Sequence, residues 1–215
     1  MGLSRRKLLA HCSLSALLAA AGAAQAQGRA ATILIVGDSL SAEYGLTRGK
    51  GWVALLERRL AAEKVGARVV NASISGDTTA GGRTRLPALL AQHKPTHVIL
   101  ELGGNDALRG LPLGMTTENL AQMARASNGA GARVVVVGMQ VPPNYGKRYS
   151  DDFAALFAKV AQREGSALVP FLLKNVADGP KADTMFQNDR IHPREAAQPI
   201  MLNNVWPVLR PLLVK

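Results

Sequence analysis

The chain has 215 residues, 47% of them hydrophobic and 19% charged, which suits one globular core and excludes an extended disordered chain. Aromatic residues make up only 4%, which argues against a surface that stacks on bases or sugars. The single cysteine, Cys12, excludes an internal disulfide framework and a cysteine-built zinc site.

Ser4-Arg5-Arg6-Lys7, the apolar stretch 8–24 and the small-x-small sequence Ala24-Gln25-Ala26 predict a cleavable secretory signal over residues 1–26. Arg5-Arg6 resembles a twin-arginine export signal, and an ordinary signal with a basic start fits the same residues. Cys12 does not mark a lipoprotein, because His11 before it is not small and most of the apolar run follows it. Cleavage removes Arg5, Arg6 and Lys7 and no acid, so residues 27–215 keep 23 bases and 15 acids, net +8. This segment has no cysteine, which suits a periplasmic or secreted protein. Its positive charge is scattered without a basic run, which reads as a solvated surface and not a nucleic-acid site. Weak attraction to an anionic lipid surface or substrate is the sharper alternative.

Within 27–215, apolar runs at Ala31–Val36, Arg68–Ala72, Thr96–Leu102, Arg133–Met139 and, shorter, Ala167–Phe171 predict strands buried on both faces. Helical stripes lie between them. Trp52, Leu55, Leu56 and Leu60 share one, and Leu120, Met123, Ala124 and Ser127 a weaker one. Phe153, Leu156, Phe157 and Val160 form a strong stripe with Ser150 as cap and Gly165 as stop. Pro193 is expected to open a last helix running to about Leu209. The alternation predicts a single α/β domain, a parallel sheet of about five strands with helices on both faces. Ligands of such sheets bind at the carboxyl ends of the strands, so the loops there are where chemistry is sought.

After the first strand stands Gly37-Asp38-Ser39, with Gly37 expected to allow a sharp turn. The Gly-x-Ser-x-Gly elbow is absent, so a nucleophilic Ser39 belongs to a different scaffold. A serine nucleophile needs a base. His93 and His97 fall near the amino edge of the sheet, whereas His192, after the fifth strand, can return to the carboxyl edge. Asp189 precedes it by three residues, within reach of Nδ1 on one helical turn. Taken alone, the same spacing is better read as an aspartate capping the turn before Pro193, with His192 a solvated neighbour. Backbone or amide donors for an oxyanion are available at Gly76, after strand two, and at Asn105 behind Gly103-Gly104, with the Ser39 amide as a third. Each of these loops alone reads as an ordinary turn; their value is joint.

Together, Gly-Asp-Ser-Leu-Ser-Ala at 37–42, Asn-Ala-Ser-Ile-Ser-Gly-Asp-Thr at 71–78, Glu-Leu-Gly-Gly-Asn-Asp at 101–106, Pro-Asn-Tyr-Gly at 143–146 and Asp189-x-x-His192-Pro193 make the chain resemble the SGNH (or GDSL) hydrolase family. The likeness is strongest to its secreted bacterial thioesterases, lysophospholipases and arylesterases. The resemblance implies a three-layer, flavodoxin-like α/β/α sandwich that cleaves small-molecule esters and thioesters without metal or cofactor; the sequence leaves monomer and small homo-oligomer both open. It implies Ser39 as nucleophile, His192 as base, Asp189 as orienting acid, and an oxyanion hole of Ser39, Gly76 and Asn105. Asp38 and Asp106 are read as local structural acids. Leu108 and Leu111 on one side and Pro143 and Tyr145 on the other are expected to wall an acyl groove. A carbohydrate O-deacetylase using the same residues and a non-catalytic flavodoxin-like binding module are the alternatives. Family members usually carry glycine where Glu43 and Arg190 stand here. The expectation is a charge pair across the cleft mouth; an unpaired Glu43 would disfavour anionic substrates such as acyl-CoA.

Overall fold

Five aliphatic runs form the strands of one parallel sheet in the computed structural model, which describes residues 30–213. The expected leader, residues 1–26, lies outside the described residues. The strands are β1 (Ala31–Gly37), β2 (Ala67–Asn71), β3 (His97–Glu101), β4 (Arg133–Val137) and β5 (Ala167–Val169), in the order β2-β1-β3-β4-β5. The helices are α1 (Trp52–Ala62), α2 (Thr79–His93), α3 (Gly104–Leu108), α4 (Leu113–Gly129), α5 (Lys147–Arg163), α6 (Ala182–Met185) and α7 (Gln198–Leu213). Helix α1 packs beside α7, while α2, α4 and α5 pack side by side, giving the three-layer, flavodoxin-like sandwich.

The core sits where the sheet is covered on both faces. Ile33–Val36, all of β3 and Val134–Val137 are buried. The expectation of two-sided burial fails at the edges: no β2 residue is fully buried, and in β5 only Val169 is. An edge strand has one neighbour and is less completely covered by the helices. The helical stripes face the sheet as their periodicity predicts, except that Val53 replaces Leu55 among the buried residues of α1. The Phe153 and Phe157 rings meet edge-on at 5.2 Å.

Two helix starts differ from expectation. Helix α5 begins at Lys147, not after Ser150, because Gly146 adopts φ 86° and turns the chain into the helix a turn earlier. Gly165 (φ 62°) follows the helix end as the expected stop. Pro193 opens no helix: it pairs in an isolated antiparallel bridge with Phe186, and α7 starts at Gln198 behind a 3₁₀ turn at Glu195–Ala197. Helix α7 also passes Leu209, through Pro207 and Pro211, to Leu213. Burial of Val205, Trp206 and Leu209 opposes the proline penalty, and the Leu212 carbonyl accepts from the Arg133 guanidinium (2.8 Å) and the His97 ring (3.0 Å). His97 is thus structural, and burial lowers its pKa.

Candidate active site

The carboxyl ends of β1, β2 and β3 adjoin at the point where strand order reverses, and the loops leaving them carry the residues singled out above. Beyond β1 the chain makes a tight turn in which the Ser41 and Ala42 N–H groups donate to the Asp38 carbonyl (3.2 and 2.9 Å) and the Leu40 N–H to its carboxylate (3.0 Å). This turn presents Ser39 at the sheet edge. Gly37 serves it by space rather than by a special torsion. A Cβ there would lie 2.8 Å from Glu101 Oε2 and 2.9 Å from both the Ser41 and Ser73 hydroxyls.

The Ser39 Oγ lies 2.9 Å from His192 Nε2, across 153 residues of sequence. The His192 Nδ1 is 2.7 Å from Asp189 Oδ2. The other Asp189 oxygen accepts from the Ile191 and His192 N–H groups (2.9 and 3.0 Å). These contacts occur in an irregular loop and not on the helical turn expected from the spacing. The Gln187 N–H donates to the His192 carbonyl (2.8 Å), the Phe186–Pro193 bridge closes the base, and Arg190 at the tip takes φ 59°. Burial raises the Asp189 pKa, but the His192 and Ile191 N–H groups and the His192 ring outweigh it and bring it down to about 2. Tyr44 adds a contact the sequence did not announce: its ring tilts over the His192 imidazole at 4.3 Å between centroids.

Gly76 sits at φ 80°, a torsion that favours glycine. Its carbonyl is held by Arg109 Nη2 (2.8 Å), a second residue missed at the sequence level. Among the described residues, neither the Ser39 nor the Gly76 N–H has an acceptor. The Asn105 carboxamide has two: its Nδ2 donates to Asp38 Oδ2 and to the Asp77 carbonyl, both at 3.0 Å. Asp38 therefore holds Asn105 from behind the serine. Desolvation raises the Asp38 pKa to about 6, against the opposing pull of the Leu40 N–H, the His192 charge and the Asn105 amide. Asp106 is buried at the base of the same loop and ties α2 to α3 and α4, accepting from the Thr79 N–H (2.9 Å) and from the Thr79 and Thr116 hydroxyls.

Residues 35–199 match the sequence model of the GDSL-like Lipase/Acylhydrolase family. The chain belongs to that family. It is 52% identical over 209 residues to Esterase TesA of Pseudomonas aeruginosa, covering 97% of this chain and 100% of that one. It is 41% identical over 182 residues to thioesterase 1/protease 1/lysophospholipase L1 of Escherichia coli K12, 85% of each chain. The crystal structure of the esterase EstA from Pseudoalteromonas sp., inhibited by monoethylphosphonate, superposes with a TM-score of 0.79 at 41% identity, covering 85% of this chain and 98% of that one.

The two departures from the GDSL pattern do not pair. The Glu43 carboxylate accepts from the Gly49 and Gly51 N–H groups (2.9 and 2.7 Å). The Arg190 side chain has no ionic or hydrogen-bonded partner among the described residues. What the positions share is backbone: φ is 60° at Glu43 and 59° at Arg190, the region where glycine costs least. The two backbone amides solvate the Glu43 carboxylate without cancelling its charge, and no cation pairs with it among the described residues, so the expectation that it disfavours anionic substrates is unchanged.

The expected acyl groove is only partly assembled. Tyr145 lines a depression of about 450 Å³ with Leu113, Gly146 and Tyr149, but Leu108 and Leu111 do not line it. Pro143 lies in the 3₁₀ turn leading to Tyr145. Leu108 is instead one of five large apolar side chains left exposed among the described residues, with Tyr44, Ile74, Met115 and Ile191. All five stand on loops or helix ends at the carboxyl edge of the sheet. A second depression, about 760 Å³, lies beside Asp189 and is lined by Tyr44, Gly45, Gln187, Asn188 and Arg194.

Proposed function

We propose that this acylhydrolase cleaves carboxylic esters, and thioesters of similar shape, through a covalent acyl-Ser39 intermediate. The observation that carries the reading is the unbroken chain from Ser39 Oγ to His192 Nε2 (2.9 Å) and from His192 Nδ1 to Asp189 Oδ2 (2.7 Å). In this reading His192 removes the Ser39 proton as Oγ attacks the substrate carbonyl, and Asp189 keeps the other ring nitrogen protonated. The Ser39 and Gly76 N–H groups receive the oxyanion, and Asn105 joins them by turning one N–H from the Asp77 carbonyl to the substrate oxygen. Protonated His192 then gives its proton to the departing alcohol or thiol. A water, deprotonated by the same imidazole, attacks the acyl-enzyme and frees Ser39.

The exposed Ile74, Leu108 and Ile191 side chains support an aryl or acyl group lying along the edge of the sheet rather than a polar sugar. Residues 1–26 act in this reading as a removable export leader, with 27–215 as the working domain in the periplasm or outside the cell. N-terminal sequencing of the exported protein tests that boundary. The chemical reading is tested with a chain-length series of nitrophenyl esters, run beside acetylated sugars and acyl-CoA. Ser39→Ala should abolish turnover of every substrate while leaving the thermal unfolding midpoint within a few degrees of the parent. Undiminished turnover by this variant would exclude the acyl-enzyme.

A further inference from the structure

Glu101 is a carboxyl group where a buried sheet has no obvious use for one. It ends β3 directly opposite Gly37 of β1, is only 1% exposed, and makes no ion pair among the described residues. The missing Cβ of Gly37 opens the space into which its carboxyl folds, 2.8 Å from where that carbon would be. There Oε2 is hydrogen-bonded to the Ser41 hydroxyl at 2.6 Å and, more weakly, accepts from the Asp38 N–H at 3.4 Å. Ser41 in turn accepts from the Trp52 indole N–H at the start of α1 (3.2 Å). Asp38 and Ser41 flank Ser39 on either side in the turn.

We propose that Glu101 is a positioning residue for the nucleophile, gripping the turn before and after Ser39 through the Asp38 amide and the Ser41 hydroxyl. It extends the reading of Ser39 given above and rests on it. The surroundings define the form in which Glu101 acts. Among the described residues no cation pairs with it: Arg85 reaches the neighbouring Gly37 carbonyl (3.4 Å) but is paired with Asp77 (2.8 Å). The nearest acid on its other side, Asp38, repels a second negative charge, and the elements packed around the carboxyl otherwise contribute Ser41, Ser73 and Trp52, all neutral. Its second oxygen, Oε1, is buried with no partner among the described residues, which costs less for a neutral carboxyl, whose proton sits on Oε2 facing Ser41 Oγ, than for a carboxylate. Burial and the Asp38 charge raise its pKa well above the ordinary carboxyl value. Glu101 is thus a neutral acid linking β3, the serine turn and α1.

The test uses the full folded domain and a fluorophosphonate that labels Ser39, with nitrophenyl ester turnover measured in parallel. Glu101→Ala and Ser41→Ala should each slow labelling and lower kcat by roughly 10- to 100-fold with KM little changed, the scale expected when a reacting atom is displaced by a fraction of an ångström to one ångström. Because both act through one contact, the double variant should be no worse than about threefold below either single one. Glu101→Gln, neutral and nearly isosteric, should restore the rate to within about threefold of the parent, and should remove one protonated-carboxyl carbonyl band from the infrared spectrum at neutral pH. If Glu101→Ala does not fold, Ser41→Ala and Glu101→Gln carry the comparison alone. Labelling of Ser41→Ala at the parental rate, multiplicative losses in the double variant, or no infrared difference for Glu101→Gln would overturn the proposal. A parent protein that is not labelled at Ser39 would remove the nucleophile reading and this one with it.

Discussion

Replacing Glu43 and Arg190 by glycine, one at a time, should change stability in opposite directions although both residues share a backbone torsion near 60°. Holding a side-chain-bearing residue in that region costs about 1–2 kcal/mol, and the added freedom of glycine in the unfolded chain takes back about 0.5–1 kcal/mol. Arg190 has no side-chain hydrogen bond or ion pair to lose among the described residues, so Arg190→Gly should stabilise by ~0.5–1 kcal/mol. Glu43 accepts two backbone N–H bonds, and the one from Gly51 lies at the N-cap of α1, a helix with no side-chain cap and no acid in its first turn. At this half-buried site each bond is worth about 1 kcal/mol, and the anion at the helix start adds ~0.3–1 kcal/mol. Set against the torsional relief, Glu43→Gly should destabilise by ~1–2 kcal/mol, or a fall of roughly 2–8 °C in Tm for a domain of this size. Urea unfolding at unchanged m-value is the assay. Equal stabilisation by both substitutions would show that the Glu43 carboxylate does not support α1, and the reasoning would fail.

Two further outcomes follow from the site. Asn105→Ala should lower kcat by about 10²–10³ with little change in KM, the usual loss for one oxyanion donor; an unaltered kcat would remove Asn105 from that role. The Asp38 carboxyl, raised to about 6 from its ordinary 3.8, favours the folded state below 3.8, and that contribution disappears as pH rises through 6. The difference amounts to ~3 kcal/mol, so the stability of Asp38→Asn relative to the parent should improve by up to that amount between about pH 4 and about pH 7. Asp189 works the other way, because its value of about 2 gives stability that is present above 3.8 and lost on acidification. A relative stability of Asp38→Asn that is flat across this range would show that Asp38 is not desolvated as described.

Much of the site was legible because its parts are local. The contact between Asp189 and His192 joins residues three apart, and the turn at Ser39 and the Gly76 torsion each depend on a few neighbours. Elements were legible for the same reason: the Phe153 stripe and the buried runs of β1, β3 and β4 are periodic patterns. Errors came where a remote partner overrode a local signal. Pro193 was recruited by Phe186 instead of starting a helix, and α7 continued through two prolines because its apolar face was covered. Glu43 and Arg190 looked like a charge pair in sequence because charge is visible there and backbone torsion is not. Glu101 carried a faint signal, an acid closing an otherwise apolar strand, but its meaning depends on lying opposite Gly37 in the neighbouring strand.

The amino-acid order alone determined which pieces exist: five sheet-forming runs, the helices between them, and loops bearing an alcohol, an imidazole, a carboxylate and amide donors. Those follow from near-neighbour sterics and periodicity, which act over a few residues. Only the tertiary structure decided that Ser39 and His192 meet, that Glu101 stands behind the serine turn, and that Arg109 and Tyr44 touch the same site. Strand order and register bring these groups together, and both are settled by burying the whole sheet between two helical layers, a balance no single segment contains.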